Sequence, residues 1–178
     1  MDTLEIDAIC IRSVDYQEND KIITLYGTDV GKLAMVAKGA KKPKAKLKFA
    51  ASPFCFGHYY YSGKGQKKTL IGCDTYDSFY NIVLDPEKFY AGTVILEILD
   101  KMGMEDDYNK DLFVLSLKAL KELCYENVDP KISLFNNIRD ILTALGYECN
   151  AITLLDYYNY FKYTHSVNIN SLKELINL

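Results

Sequence analysis

The sequence predicts an α+β protein, with a five-stranded β-barrel in the N-terminal part followed by an all-helical half. Three observations carry that prediction. Apolar residues recur with a period of two in the first part and with a period near 3.6 beyond Asp85. Glycine-bearing turns, Gly27-Thr28-Asp29-Val30-Gly31 and Ser62-Gly63-Lys64-Gly65, punctuate the first part. Asp85-Pro86 and Asp129-Pro130 each read as a helix cap followed by proline at the first helical position.

Taken in order, Leu4 to Val14 is a strand rich in Ile and Val, with Ile9 and Ile11 expected on one face and Ala8, Cys10 and Arg12 on the other. Lys21 to Tyr26 is the second strand. Lys32 to Val36 is the third, with Leu33 and Met35 facing inward. Pro53 suits a strand start, so Phe54 to Tyr61 is expected as the fourth strand and Thr69 to Cys73 as the fifth. Five short antiparallel strands leave exposed edges unless they close, which favours a barrel.

The helical half opens with the stripe Phe89, Val94, Ile95, Ile98, Leu99 and Met102, stopped by Gly103. Leu112, Leu115, Ala119, Leu120 and Leu123 form a second stripe. Leu134, Ile138, Ile141, Leu142 and Leu145 form a third, stopped by Gly146. The three helices are expected to pack on one another and on the barrel. Leu154 to Phe161 fits a short helix or a strand, and Asn170 is expected to cap a last helical segment from Ser171 to Leu178. The division is therefore a barrel over residues 1–80 and a helical domain with a short C-terminal extension over residues 81–178.

With 49% hydrophobic and 25% charged residues, the chain of 178 residues can bury enough apolar surface to order itself. No run of eighteen apolar residues occurs, and Met1-Asp2-Thr3-Leu4-Glu5 is unlike a secretory signal, so a cytoplasmic protein with no membrane role is expected. Cys10, Cys55, Cys73, Cys124 and Cys149 are widely spaced without a CxxC pair and read as reduced core thiols.

The net charge of −3 hides an asymmetry: residues 1–80 carry 12 Lys plus Arg against 9 Asp plus Glu, and the remainder carries 9 against 15. Six lysines, Lys38, Lys41, Lys42, Lys44, Lys46 and Lys48, fall in eleven positions without an acid. Like charges this close repel unless water, salt or a polyanion neutralises them, so the segment is either a solvated loop or a phosphate-binding one. Phe49, Phe54, Phe56, Tyr59, Tyr60 and Tyr61 follow directly, and Phe56, Tyr59, Tyr60 and Tyr61 are candidates for stacking on bases. Lys64, Lys67 and Lys68 add charge in the next hairpin.

No catalytic, cofactor or metal motif is found. Gly63 to Thr69 lacks phosphate-loop spacing. Asp107, Asn109 and Asp111 have calcium-loop spacing, but Leu112 and Lys118 stand where that loop needs glycine and glutamate. His58 and His165 are the only histidines, no HxH, HExxH, GxSxG or closely spaced Cys/His set accompanies them, and His58 is read as a packed or barrel-surface residue.

Three stretches, Ile9-Cys10-Ile11-Arg12, Glu18 to Tyr26 and above all Gly31 to Lys48, resemble the start of the RecO family of bacterial DNA repair proteins. Ser52-Pro53-Phe54, Leu70-Ile71 and Leu145-Gly146-Tyr147 follow in the same order, so the resemblance runs from the first strand to about Tyr147. It implies an oligonucleotide-binding (OB) barrel followed by a helical domain. It also implies binding of single- and double-stranded DNA, annealing of complementary strands, and cooperation with RecR and single-stranded-DNA-binding protein in loading the RecA recombinase, with no enzymatic step. On this resemblance Arg12, Lys38, Lys41, Lys42, Lys44 and Lys46 match the basic positions of the barrel and are the candidates for phosphate contact, and the helices from Pro86 to Gly146 match the region that helps to bind the tail of the single-stranded-DNA-binding protein. Many members continue into a CxxC…CxxC zinc module, whereas Cys149 here has no second cysteine beside it. The resemblance is thus to a shortened, zinc-less member. The alternative reading is a protein-interaction adaptor whose lysines serve only solubility.

Overall fold

The structure, a computed structural model, describes residues 3–64, 67–105 and 107–177, without the side chain of Lys64. The chain divides into two compact units, Met1–Ser78 with Gly103–Tyr108, and Phe79–Met102 with Asn109–Leu178. The first unit thus takes in Gly103–Tyr108, which lies within residues 81–178 of the sequence, beyond the expected boundary.

The first unit is a closed barrel of OB type, β1 (Thr3–Tyr16), β2 (Asp20–Gly27), β3 (Gly31–Ala37), β4 (Phe56–Lys64) and β5 (Lys67–Asp77), joined in the order β1-β2-β3-β5-β4. β3 and β5 pair in parallel through Val36 and Thr69, and the other pairings are antiparallel. Alternation puts Ile6, Ala8, Ile23, Leu25, Leu33 and Met35 inside. Ile9 and Ile11 are buried as well, but outside this barrel core.

The register of β1 departs from simple alternation. Cys10 pairs with Leu25 and Arg12 with Thr24, so one extra residue, Ile11, is bulged between them. A bulge of one residue reverses which side chains face in. Arg12, expected on the face of Ala8 and Cys10, is turned outward beside Thr24, and Ser13 pairs with the core residue Ile23 in its place. The fourth strand begins two residues later than expected. Pro53 and Phe54 lie in turns, Phe54 adopts φ 72°, and its N–H donates to Cys10 O at 3.0 Å while Cys10 N–H donates to Cys55 O at 2.8 Å.

Gly31 sits at φ 64°, and a Cβ there would come within 2.5 Å of Met104 O and 2.7 Å of Asp107 O. Only glycine fits this approach of the Gly103–Tyr108 segment to the start of β3, where Lys32 N–H donates to Met104 O at 3.0 Å.

The second unit comprises α1 (Tyr80–Leu84), α2 (Pro86–Met102), α3 (Lys110–Tyr125), α4 (Pro130–Ala144), α5 (Leu154–Thr164) and α6 (Asn170–Leu175). α2 is its central helix: α1, α3, α4 and α6 all pack on it. It buries Ala91, Leu96 and the expected Val94, Ile95, Ile98 and Leu99, which is more than one stripe, while Phe89 is 39% exposed. Asp85 and Asp129 cap α2 and α4 as the sequence indicates, and Asn109 caps α3 by accepting from Leu112 N–H at 2.9 Å.

α5 is a helix started by a capping box, Thr153 with Asp156. Asn170 is not a cap. It is the first residue of α6, and its N–H donates to Glu97 Oε1 of α2 at 3.0 Å. Ser171 gives both its N–H and its hydroxyl to Glu97 Oε2, at 2.9 and 2.6 Å. The carboxylate of a helix far away in sequence satisfies the donors that a local cap would have taken. Among the described residues, no helix is long and apolar enough to cross a membrane.

Glu97→Ala is expected to lower the urea stability of the helical unit by about 1–2 kcal/mol, followed by far-ultraviolet circular dichroism. Glu97→Gln, which keeps one acceptor oxygen, is expected to lose less. Equal losses for the two would contradict capping by the carboxylate.

Candidate nucleic-acid interface

The lysine-rich segment joins β3 to β4, and its backbone is a chain of tight turns. Lys42, Ala45 and Lys48 donate N–H to Gly39 O, Lys42 O and Ala45 O, and Ala51 N–H donates to Leu47 O at 2.9 Å. Its start is fixed to the β1–β2 turn, where Gly39 N–H donates to Asp20 Oδ1 at 2.8 Å and Lys41 N–H to Asn19 O at 3.0 Å. Its end is fixed by the Tyr59 hydroxyl, buried in the barrel, which donates to Ala50 O at 3.1 Å and to Cys55 O at 3.0 Å.

The order of apolar residues and lysines within the segment does the rest. Ala40, Ala50 and Ala51 are buried in the barrel core and Leu47 packs against it. The lysines before and between them are left in water: Lys38, Lys41, Lys42, Lys44, Lys46 and Lys48 are exposed. Lys41 Nζ lies 3.0 Å from Asp15 Oδ2, a surface pair that a phosphate can displace at little cost. Lys38, Lys42, Lys44, Lys46 and Lys48 form no ion pair with any described acid.

Register decides which of the other basic residues join them. The Val36–Thr69 bridge sets the start of β5, with Lys67 and Lys68, beside β3, and Lys38 follows the end of β3 directly. Both basic segments therefore border the same strand. Lys67 is exposed and Lys68 half-buried, while the side chain of Lys64 lies outside the described residues. The bulge brings Arg12 onto the outer surface of β1–β2, in a row with Thr24 and Ala34. Next to it, Val14, Ile22 and Val36 form an apolar row.

The candidate stacking rings divide. Tyr59 and Tyr61 are buried core residues and cannot receive a base. Phe56 and Tyr60 are half-buried on the outer face of β4, among acids: Tyr60 donates its hydroxyl to Asp74 Oδ2 at 2.8 Å, and Phe56 packs edge-on against Tyr76, whose hydroxyl donates to Asp7 Oδ1 at 3.0 Å. His58 Nδ1 is 2.8 Å from Asp7 Oδ1, and His58 Nε2 is 3.4 Å from Glu5 Oε2. The hydrogen bonds its ring N–H groups donate, to Asp7 first and Glu5 second, favour the imidazolium and raise its pKa above the usual histidine value. This β1–β4–β5 surface is acidic and repels a polyanion.

The ring that sequence reasoning passed over is Phe49, 74% exposed within the lysine segment itself. Alternation along Lys44 to Phe49 would have put Phe49 inward with Leu47; the segment is a chain of turns, so that signal does not hold, and only the direct neighbourhood of Lys46 and Lys48 pointed to it. Among the described residues no group of His, Cys, Asp and Glu could hold a metal ion. The five cysteines are free thiols, with Cys10, Cys55 and Cys124 buried.

Residues 1–79 match the family model Recombination protein O N terminal, and residues 83–151 match Recombination protein O C terminal. The DNA repair protein RecO of Shouchella clausii is 38% identical over 118 residues, which are 66% of this chain and 46% of that protein. Its counterpart in Syntrophomonas wolfei is 32% identical over 141 residues, 79% of this chain and 56% of that protein. The one in Desulforamulus reducens is 30% identical over 150 residues, 80% and 59%. The chain spans about half the length of the curated relatives it matches.

Tyr59→Phe removes a donor from two buried carbonyls and is expected to cost the barrel about 1–3 kcal/mol in urea denaturation; an unchanged midpoint would contradict the anchoring role. For His58 the folded-state pKa is raised, so its contribution to stability is full below the unfolded value of about 6.5 and is lost as pH rises through the folded value. His58→Gln should therefore destabilise the protein more at about pH 5.5 than at about pH 8.5. The same loss at both pH values would contradict the pairing with Asp7 and Glu5.

Proposed function

This chain belongs to the RecO family of recombination proteins, and from that premise we propose that it binds DNA through the lysine-rich end of its barrel, in the cytoplasm and without a chemical step. One observation carries the reading: five lysines stand in water, unpaired with any described acid, on a backbone fixed by turns and by buried alanines. Cations set side by side on a fixed backbone gain by meeting phosphates, and no backbone ordering has to accompany the contact. Each phosphate contacted releases a counterion, which sets both the affinity and its salt dependence.

The path of the nucleic acid follows from the charge pattern. The strand runs from the lysine segment along β3, over the β1–β2–β3 surface with Arg12, and toward Lys67 and Lys68. It avoids the β1–β4–β5 surface, where Glu5, Asp7 and Asp74 would repel it. Contacts of this kind grip the backbone and carry no sequence information, so the bases stay accessible to a complement. That is the physical requirement for annealing. Loading of the recombinase, with RecR and single-stranded-DNA-binding protein as partners, is the cellular role that fits the family.

The test is a titration of labelled single-stranded DNA at several salt concentrations. The expected result is a linear fall of log affinity with log salt. In Lys42→Ala/Lys44→Ala/Lys46→Ala the slope is expected to drop by about 2, at about 0.7 per lost contact. Lys118→Ala/Lys121→Ala, in α3, is expected to leave the slope unchanged. Binding that ignores salt, or that survives the triple substitution, would overturn the proposal in favour of an adaptor with solubilising lysines.

A further inference from the structure

A single exposed apolar ring is ordinary on a protein surface, and Phe49 would be unremarked but for its setting. Lys46 and Lys48 precede it, exposed and paired with no described acid. Its backbone is pinned on both sides: Ala51 N–H donates to Leu47 O, Ser52 N–H to Phe49 O at 3.0 Å, and Tyr59 holds Ala50 O. The other apolar side chains of the segment, Ala40, Leu47, Ala50 and Ala51, turn toward the barrel core, whereas Phe49 turns away. Among the described residues, the other exposed rings of this unit are Tyr76, which donates to Asp7, and Tyr16, at the end of β1 opposite Asp20. Phe49 is thus the exposed ring that an approaching polyanion meets on cationic ground.

We propose that Phe49 is a base-stacking platform within the lysine segment, taking an unpaired nucleobase on its face while the neighbouring ammonium groups hold the flanking phosphates. This rests on the DNA-binding reading and adds to it a substrate preference. Base–aromatic stacking needs a free π-face, which a single strand offers and a paired duplex does not. Lysine contacts alone accept both forms. Phe49 therefore biases the site toward single strands, ends and gaps.

The chain contains no tryptophan, so Phe49→Trp installs a sole indole reporter on an exposed position. Saturating oligothymidylate, followed in parallel by the anisotropy of a labelled oligonucleotide, is expected to quench that indole, and a duplex of the same length is expected to leave it bright. Phe49→Ala is expected to weaken single-strand affinity by about 5- to 150-fold, with Phe49→Tyr restoring it, and to change duplex affinity far less. Salt-dependent binding with an unquenched indole and an unaffected alanine variant would overturn the stacking role while leaving the lysine contacts standing. Equal loss of single-strand and duplex affinity would also overturn it. Absence of any DNA binding, with circular dichroism showing folded protein, would overturn both readings together.

Discussion

Ala40, Ala50 and Ala51 are buried at the end of the barrel where β3 gives way to β4, and their burial obliges the lysines between them to face water. A polar residue at those positions would leave an unpaired group inside. The Tyr59 hydroxyl ties the same stretch to the barrel from within, through Ala50 O and Cys55 O. Repulsion among six ammonium groups acts over a Debye length of about 8 Å at physiological salt and would otherwise spread the segment. Small apolar side chains and turn hydrogen bonds hold it compact. The charge is thereby fixed in place before any ligand arrives, which lowers the ordering cost of binding.

The barrel is polarised, and a single inserted residue contributes to that. Without the bulge at Ile11, alternation would send Arg12 inward with Cys10 and leave Ser13 outside. With it, Arg12 joins the surface that borders the basic segments. On the other side of the barrel Glu5, Asp7 and Asp74 surround His58 and Tyr60. A net charge of −3 describes neither surface. What a polyanion senses within a Debye length is the local field, and here that field has a direction.

Much of this was legible in the residues. Period-two alternation located the strands, and Leu33 and Met35 face inward as their spacing requires. Asp85-Pro86 and Asp129-Pro130 announced α2 and α4, and six lysines without an acid announced the basic segment. Alternation also separated Phe56, His58 and Tyr60 from Tyr59 and Tyr61, but which set lies inside depends on the pairing of β4 with β1, a relation between distant residues. The bulge escaped for the same reason. Glu97 as the cap of α6 reaches across 73 positions and leaves no local trace. α1, five residues long, is too short for a periodic signal. The helical character of α5 was readable in Thr153-x-x-Asp156, a capping box that the tyrosine-rich run obscured.

Everything assigned to the lysine segment depends on its being a folded part of the barrel. Amide hydrogen exchange by NMR measures that directly. The account requires slow exchange for Ala51 N–H, bonded to Leu47 O, and for Lys41 N–H, bonded to Asn19 O, with protection comparable to the amides of β2 and β3. Exchange of those two amides at the rate of an unstructured chain, while the strands remain protected, would contradict it.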